Sequence, residues 1–162
     1  MLKSLTILLA FLMPLSAPVV AQDFQKGLAA YDTGDFATAF KEWKPFAEAG
    51  NVNAQYMLGL MYNNGKGVSQ NYKEAAKWYR LAGEQGVADA QTNLGYMYDN
   101  GLGFLQDNTM AHMWYNIGAA NGSELSGTNR DEIAKEMTSE GIEKAQAMAR
   151  ECMSSDYKKC GY

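Results

Sequence analysis

The residues that could do chemistry begin with a glycine-rich turn, Gly65-Lys66-Gly67, which directly precedes a helical pattern. A glycine-rich loop that leads into a helix can bind phosphate, and a nucleotide-binding enzyme would need such a loop. A Walker loop, however, needs a Ser or Thr after its Gly-Lys pair. The same segment recurs 36 residues later with Leu102 in place of Lys66. Because the glycines recur and the lysine does not, we interpret the turn as structural.

Acid–base catalysis has few candidates in this sequence. The one histidine, His112, has Ala76 as its counterpart in the preceding copy, and no Ser-His-Asp or Cys-His set can be assigned by spacing. The candidate carboxylates are scattered: Asp89, Asp99, Asp107, Glu124, Asp131 and Glu132. We therefore predict no catalytic residues and a partly exposed His112. A cell-envelope hydrolase stays as an alternative, and it would need a pocket where His112 meets a carboxylate or a hydroxyl.

The two cysteines, Cys152 and Cys160, both lie near the C-terminus. An even number of cysteines in an exported chain indicates a disulfide, which here would hold the tail against the last helix. The alternative of a redox pair lacks the Cys-x-x-Cys spacing. A metal site would need more ligands than two cysteines and one distant histidine, so we predict no metal and no cofactor.

The first residues have the pattern of a secretory signal peptide, residues 1–21, with cleavage after Ala21. Lys3 precedes an apolar run from Leu5 to Met13, which is too short to span a bilayer, and small residues follow. We therefore expect a periplasmic or secreted protein with no stable membrane insertion after the signal is removed. Loss of Lys3 changes the formal net charge from −4 to −5. Such mild acidity argues against nucleic acid as the main partner.

A repeat of 36 residues organises the middle of the chain. The residue type recurs at ten positions with this offset, which chance does not produce. The first set consists of Ala54, Leu58, Gly59, Tyr62, Gly65, Gly67, Ala75, Trp78, Tyr79 and Gly86. Within each copy the apolar residues follow helical spacing in two stripes, so each copy predicts a helix, a loop and an antiparallel helix. Ser69 and Asn71 are candidate N-caps of the second helix.

Two positions in this repeat predict close packing. Gly59 and Gly95 lie inside helices, where glycine is unfavourable, and this suggests that the paired helices approach each other closely there. The tryptophans, Trp78 and Trp114, are expected to fill the gaps between successive pairs.

Shorter or irregular units flank the repeats. Residues 22–51 form a degenerate tetratricopeptide-like unit whose loop is four residues shorter, and residues 52–87 and 88–123 form the two full repeats. Residues 124–162 are expected to be C-terminal capping helices. Within them, we interpret "GSELSGTN" as a linker that ends in a capping-box-like start at Thr128 and Asp131, and Ser139 as the start of a longer helix.

The repeated pattern resembles the Sel1-like repeat (SLR) family of tetratricopeptide-like helical proteins. The residues that carry the resemblance are Ala54-x3-Leu58-Gly59-x2-Tyr62-x2-Gly65-x-Gly67-Val68, then Ala75-x2-Trp78-Tyr79-x2-Ala82 and Gly86. Phe104 and Gly118 depart from the pattern in the second copy. The resemblance implies an all-α, right-handed superhelical solenoid of antiparallel helix pairs. It also implies a non-catalytic adaptor that binds other proteins.

The expected binding surface is the face of each first helix that points away from the core stripe. Its residues vary between the copies, whereas the core residues do not. On the first helices we predict as partner-binding Asn53, Tyr56, Leu60 and Asn63, then Asp89, Thr92, Tyr96 and Asp99. Amides and tyrosines on a concave surface suit a peptide or a partner protein of the cell envelope. A small-ligand or glycan-binding regulatory protein is the other alternative.

Overall fold

The computed structural model describes residues 18–161, and within this range the chain forms eight α-helices and no strands. The helices are α1 Pro18–Asp32, α2 Phe36–Glu48, α3 Val52–Asn64, α4 Tyr72–Gly83, α5 Ala88–Asp99, α6 Asn108–Ala120, α7 Glu124–Ala134 and α8 Ser139–Ser154. Helices α1 to α6 pack as three consecutive pairs. The predicted all-α helical-repeat solenoid is confirmed. Most of the predicted signal peptide, residues 1–17, lies outside the described residues.

Polar caps determine where the repeat helices begin. The Asn51 side chain accepts a hydrogen bond from the Ala54 N–H, and the Asn71 side chain accepts from the N–H groups of Lys73 and Glu74. Asp107 caps α6 in the same way as Asn71 caps α4. Each cap satisfies backbone donors that have no partner within the helix. Of the two candidates for α4, Asn71 is therefore the N-cap.

The two helices of each repeat approach most closely where a glycine faces a tyrosine ring. A Cβ atom added to Gly59 would lie 2.5 Å from Cδ1 of Tyr79, and one added to Gly95 would lie 2.6 Å from Cδ1 of Tyr115. The predicted close packing is confirmed. The N-terminal unit contains the same kind of glycine–ring contact with a larger ring. A Cβ atom on Gly27 would lie 2.5 Å from Nε1 of Trp43.

The glycine-rich turn at residues 65–67 packs against the preceding unit. Gly67 has a positive φ of 73°, and a Cβ atom there would collide with the backbone oxygen of Phe36. A Cβ atom on Gly103 would likewise lie only 2.8 Å from the backbone oxygen of Tyr72. Each turn therefore sits on the start of the preceding unit's second helix, which explains why glycine recurs. Lys66 places its Nζ 4.9 Å from the centroid of the Phe36 ring.

Neighbouring aromatic residues on α4 pack into two different hydrophobic clusters. Trp78 belongs to the N-terminal cluster with Trp43, whereas Tyr79 belongs to the cluster that contains Trp114 and Tyr115. Trp114 is fully buried and Trp78 is 6% exposed, as predicted for the repeat tryptophans. Helix α4 thus connects the N-terminal unit to the rest of the solenoid.

The start of the C-terminal region differs from the prediction. Ser123, rather than Thr128, caps α7 by accepting a hydrogen bond from the Ser126 N–H, so most of the supposed linker is helical. The side chain of Ser126 is buried and occupies the space that a Cβ atom on Gly118 would need. The departure at Gly118 therefore allows α7 to pack closely on α6.

The end of the chain is held against the solenoid. Helix α8 begins at Ser139, as predicted, with Thr138 as its N-cap, and it packs against α6. Cys152 and Cys160 form the predicted disulfide, and both are buried. Among the helices of residues 18–161, none has the length and apolar character needed to cross a membrane.

Candidate interaction surface

The predicted residues of α3 remain at the surface or close to it. Asn53 is exposed, while Tyr56, Leu60 and Asn63 are partly buried. The Tyr56 ring lies 6.1 Å from the ring of Tyr79, measured between centroids. Leu60 packs against the edge of the hydrophobic core. Tyr56 and Leu60 therefore pack against core residues on one side and remain partly accessible to solvent on the other.

Tyr56 connects α3 to α5. Its hydroxyl is hydrogen-bonded to the side chain of Asn93 and lies near the carboxylate of Asp89. Burial raises the pKa of Tyr56, and the charge of Asp89 raises it further. The exposed residues of α3 and α5 are therefore neighbours, as the sequence suggested. Asn93 belongs to this contact, although the sequence did not single it out.

The predicted residues of α5 divide into three accessible positions and one buried position. Asp89 is exposed, Tyr96 is 50% exposed and Asp99 is partly buried. The placement of Thr92 on the exposed line is wrong, because this residue is only 6% exposed. Its hydroxyl shares hydrogen bonds of 3.0 Å with Ser123 and 2.7 Å with Ser126. Helix α7 covers Thr92, and this burial explains why α5 carries a small residue where α3 has Tyr56.

A polar pocket of about 160 Å³ lies between the end of α5 and helix α7. Its lining consists of Asp99, Asn129, Glu132, Ile133 and Glu136.

The hydroxyl of the buried Tyr115 forms hydrogen bonds with side chains that line this pocket. Tyr115 is fully buried, and its hydroxyl donates a 3.3 Å hydrogen bond to Oδ2 of Asp99. The hydroxyl is also hydrogen-bonded to the Asn129 side chain, and burial together with the Asp99 charge raises the pKa of Tyr115. The phenol therefore stays protonated and holds Asp99 and Asn129 in place.

The residues predicted from the sequence did not include the α7 part of the surface. Leu125, Asn129 and Glu132 follow steps of four and three residues, which is the spacing of one face of α7, and Glu136 lies in the turn that follows the helix. This spacing identifies a helix face only if the helix is known to start at Glu124. We call the surface formed by the accessible residues of α3, α5, α7 and the turn after α7 the first-helix face, and its members are Asn53, Tyr56, Leu60, Asn63, Asp89, Tyr96, Asp99, Leu125, Asn129, Glu132 and Glu136.

The carboxylates of the first-helix face lie on its α5 and α7 parts. The α3 residues are uncharged, α5 contributes Asp89 and Asp99, and the α7 segment contributes Glu132 and Glu136. Lys135 forms a 2.7 Å ion pair with Glu132 and partly neutralises it. The end of the face next to α7 is therefore acidic and the α3 end is neutral.

His112 is placed differently from the prediction. It is 2% exposed rather than partly exposed, because α7 packs over this part of α6. Burial lowers the pKa of His112, and the nearby Arg130 lowers it further, while Asp131 opposes this shift. The pocket described above is lined by other residues. Within residues 18–161, no three His, Cys, Asp or Glu side chains are arranged to hold a metal ion.

Consecutive helix pairs with glycine–aromatic contacts define a tetratricopeptide-like helical-repeat protein. Residues 52–87 and 88–123 each match the Sel1 repeat. The fold is similar to a protective antigen of uropathogenic Escherichia coli strains that displays an SLR fold, with a TM-score of 0.78 and 27% identity. That similarity covers 86% of this chain and 32% of the antigen, so the chain spans about a third of the antigen's length.

A second solved structure covers a more similar length. A Sel1 repeat protein from Oxalobacter formigenes is 29% identical with a TM-score of 0.63, over 70% of this chain and 89% of that protein. No curated protein matches the sequence. Residues 52–123 therefore contain two Sel1 repeats, and the fold of the chain is similar to that of solved SLR proteins.

Proposed function

We propose that this protein is an exported, non-catalytic adaptor that binds a peptide or a partner protein on the first-helix face. Sel1 repeat proteins are generally protein-interaction adaptors. In this proposal the first-helix face is the concave side of the solenoid. Export is inferred from the signal-peptide pattern of residues 1–21 and is compatible with the disulfide between Cys152 and Cys160.

The observation that carries the proposal is the difference between equivalent surface positions. Most residues that pack in the core keep their type from one repeat to the next, as Leu58 and Leu94 do. On the first-helix face, Leu60 is replaced by Tyr96 and Asn63 by Asp99. Tyr96 leaves half of a large aromatic side chain exposed, which internal packing does not require. Exposed tyrosines are rigid anchors that make interfaces at low entropic cost.

Site-specific photo-crosslinking in cells tests this function. A photo-crosslinking residue replaces Tyr56 in one strain and Tyr96 in another, and mass spectrometry identifies the captured proteins. Lys77, which is exposed on α4, provides the control position. We expect one partner to be captured from both face positions and not from the control. Capture from Lys77 alone, or from no position, would contradict binding on the first-helix face.

A further inference from the structure

We propose that the α5–α7 end of the first-helix face binds an arginine or lysine side chain of the partner, so that the partner presents a basic segment there. This inference rests on the proposed function and deepens it by naming the chemistry of the partner. It is carried by an accessible apolar surface, a pocket beside it and the charge of that pocket.

The apolar part of this surface consists of two accessible side chains on neighbouring helices. Tyr96 of α5 is 50% exposed and Leu125 of α7 is 61% exposed. Both belong to the first-helix face, which also includes Asp99, Asn129, Glu132 and Glu136 of the pocket lining. A peptide that lies across α5 and α7 would bury these two side chains and gain affinity from the apolar area removed from water.

The pocket determines which side chain the partner places next to that apolar surface. Its concave shape offers about 160 Å³, enough to receive the end of a side chain. Asp99 is held in a fixed orientation by the Tyr115 hydroxyl, so it does not need to be ordered when a partner binds. Glu136 provides a second carboxylate, while Glu132 is already paired with Lys135. Fixed carboxylates form the strongest hydrogen bonds with guanidinium and ammonium groups.

The ring of Tyr96 adds a second attraction for a cation. Tyr96 lies three residues before Asp99 on α5, so the two side chains are neighbours on one face of the helix. A cation that enters between Asp99 and Glu136 can therefore also approach an exposed aromatic face. The carboxylates, the aromatic ring and the pocket shape all favour a positively charged side chain, and arginine uses all three.

The first repeat indicates a neutral substitution for Asp99. The position of Asp99 in the second repeat is occupied by Asn63 in the first. An asparagine can be accommodated at this point of the fold, and its side-chain oxygen can also accept the hydrogen bond from Tyr115. Asp99→Asn therefore removes the charge while it keeps the hydrogen-bond acceptor.

The test begins with a random peptide library displayed on phage and selected on the purified protein. An enriched peptide is then synthesised with a fluorescent label, once with its basic residue and once with citrulline or norleucine in its place. Fluorescence anisotropy measures the binding of both peptides to wild type, Asp99→Asn, Glu136→Gln and the double variant. Glu143→Gln, which removes an exposed carboxylate from α8, is the matched control.

We expect the enriched peptides to share a lysine or arginine. Either neutral substitution in the peptide or Asp99→Asn in the protein should weaken binding about tenfold, as for the loss of one charge-assisted hydrogen bond. Glu143→Gln should leave the affinity unchanged, and binding should weaken at high salt. Circular dichroism checks that each variant is folded.

Two results would overturn the inference. In the first, the enriched peptides contain no basic residue, or they bind wild type and the double variant (Asp99→Asn with Glu136→Gln) with equal affinity. If Tyr56→Ala abolishes that binding, the adaptor function stands and only the basic-partner inference fails. The second is the absence of any enriched peptide, in which case crosslinking from Tyr56 and Tyr96 decides the adaptor function separately.

Discussion

The backbone of Gly59 lies directly against the ring of Tyr79, so that a Cβ atom on the glycine would be 2.5 Å from Cδ1 of the ring. The tyrosine is almost fully buried and cannot move aside without disturbing its neighbours. This contact joins the two helices of the first repeat, and Gly95 and Tyr115 form the same contact in the second repeat. The distance between the paired helices is therefore set by a glycine and a ring.

We expect Gly59→Ala to destabilise the protein by about 1–3 kcal/mol, because the added methyl group overpacks the interface. Alanine normally gains up to about 1 kcal/mol over glycine in a helix, so a net loss would identify the steric conflict. Urea unfolding measures the difference in the free energy of unfolding.

Gly127 on α7 is the matched control for this substitution. A Cβ atom there would meet only the Ala119 side chain, at an ordinary contact distance of 3.9 Å. Gly127→Ala should therefore be neutral or stabilise the protein by up to about 1 kcal/mol. If both substitutions stabilise equally, Gly59 does not determine the approach of α3 to α4.

Trp114 should be far more important for stability than Tyr96. Trp114 is fully buried in the core of the second repeat, whereas Tyr96 is half-exposed on the first-helix face. We expect Trp114→Ala to cost about 3–5 kcal/mol, as for other truncations of large core side chains. Tyr96→Ala should change the stability by less than about 0.5 kcal/mol while it weakens partner binding.

Thermal and urea unfolding of both variants check this prediction. A change of only one or two degrees in the melting temperature of Trp114→Ala would contradict its role in the core. A large loss of stability in Tyr96→Ala would instead mean that this tyrosine supports the fold, and the case for a binding role would weaken.

The repeats were predictable from the sequence because their signals are local. Glycine recurs where the backbone has a positive φ or touches a ring, and apolar residues recur at helical spacing. The start of α7 was not predictable in this way, because Ser126 and Gly127 are poor helix formers. Their helical conformation depends on the contact of Ser126 with Thr92, which lies far away in the sequence.

The error at Thr92 follows directly from the error at α7. On α5 alone, Thr92 belongs to the same face as Tyr96 and should be exposed. Only the packing of α7 across α5 removes it from solvent and brings Asn129 and Glu136 to the pocket. The α3 and α5 parts of the candidate site could thus be predicted from the periodicity, whereas the α7 part required the tertiary structure.

Burial of His112 should make stability depend on pH. The folded protein lowers the pKa of His112 below its ordinary value of 6.5, so the unfolded chain binds a proton more readily. The stabilising contribution of the neutral histidine is complete above pH 6.5, and it is lost as the pH falls from 6.5 through the folded-state pKa. The loss cannot exceed about 1.4 kcal/mol per pH unit.

The comparison with His112→Gln isolates this effect. Glutamine does not titrate, so the free energy of unfolding of the variant should fall less than that of wild type between pH 7.5 and pH 5.5. Arg130 and Asp131, the charged residues that act on His112, remain in place in both proteins. Parallel pH profiles for the two proteins would show that His112 does not contribute to the acid sensitivity.

The disulfide between Cys152 and Cys160 should stabilise the protein only modestly. The two cysteines are separated by 8 positions, and closing so short a loop restricts the unfolded chain little. We expect the double variant Cys152→Ser, Cys160→Ser to lose about 2 kcal/mol in the free energy of unfolding.

The loss of the disulfide should also release the contacts of the tail. In the folded protein, the Tyr157 hydroxyl accepts a 2.8 Å hydrogen bond from the Asn121 side chain, which also donates to Gln91. Amide hydrogen exchange should therefore become faster in residues 155–161 of the double variant, while α3 to α6 keep their protection. Faster exchange throughout α5 and α6 would instead mean that the tail stabilises the repeats themselves, and the adaptor would then depend on an oxidising compartment for its binding surface.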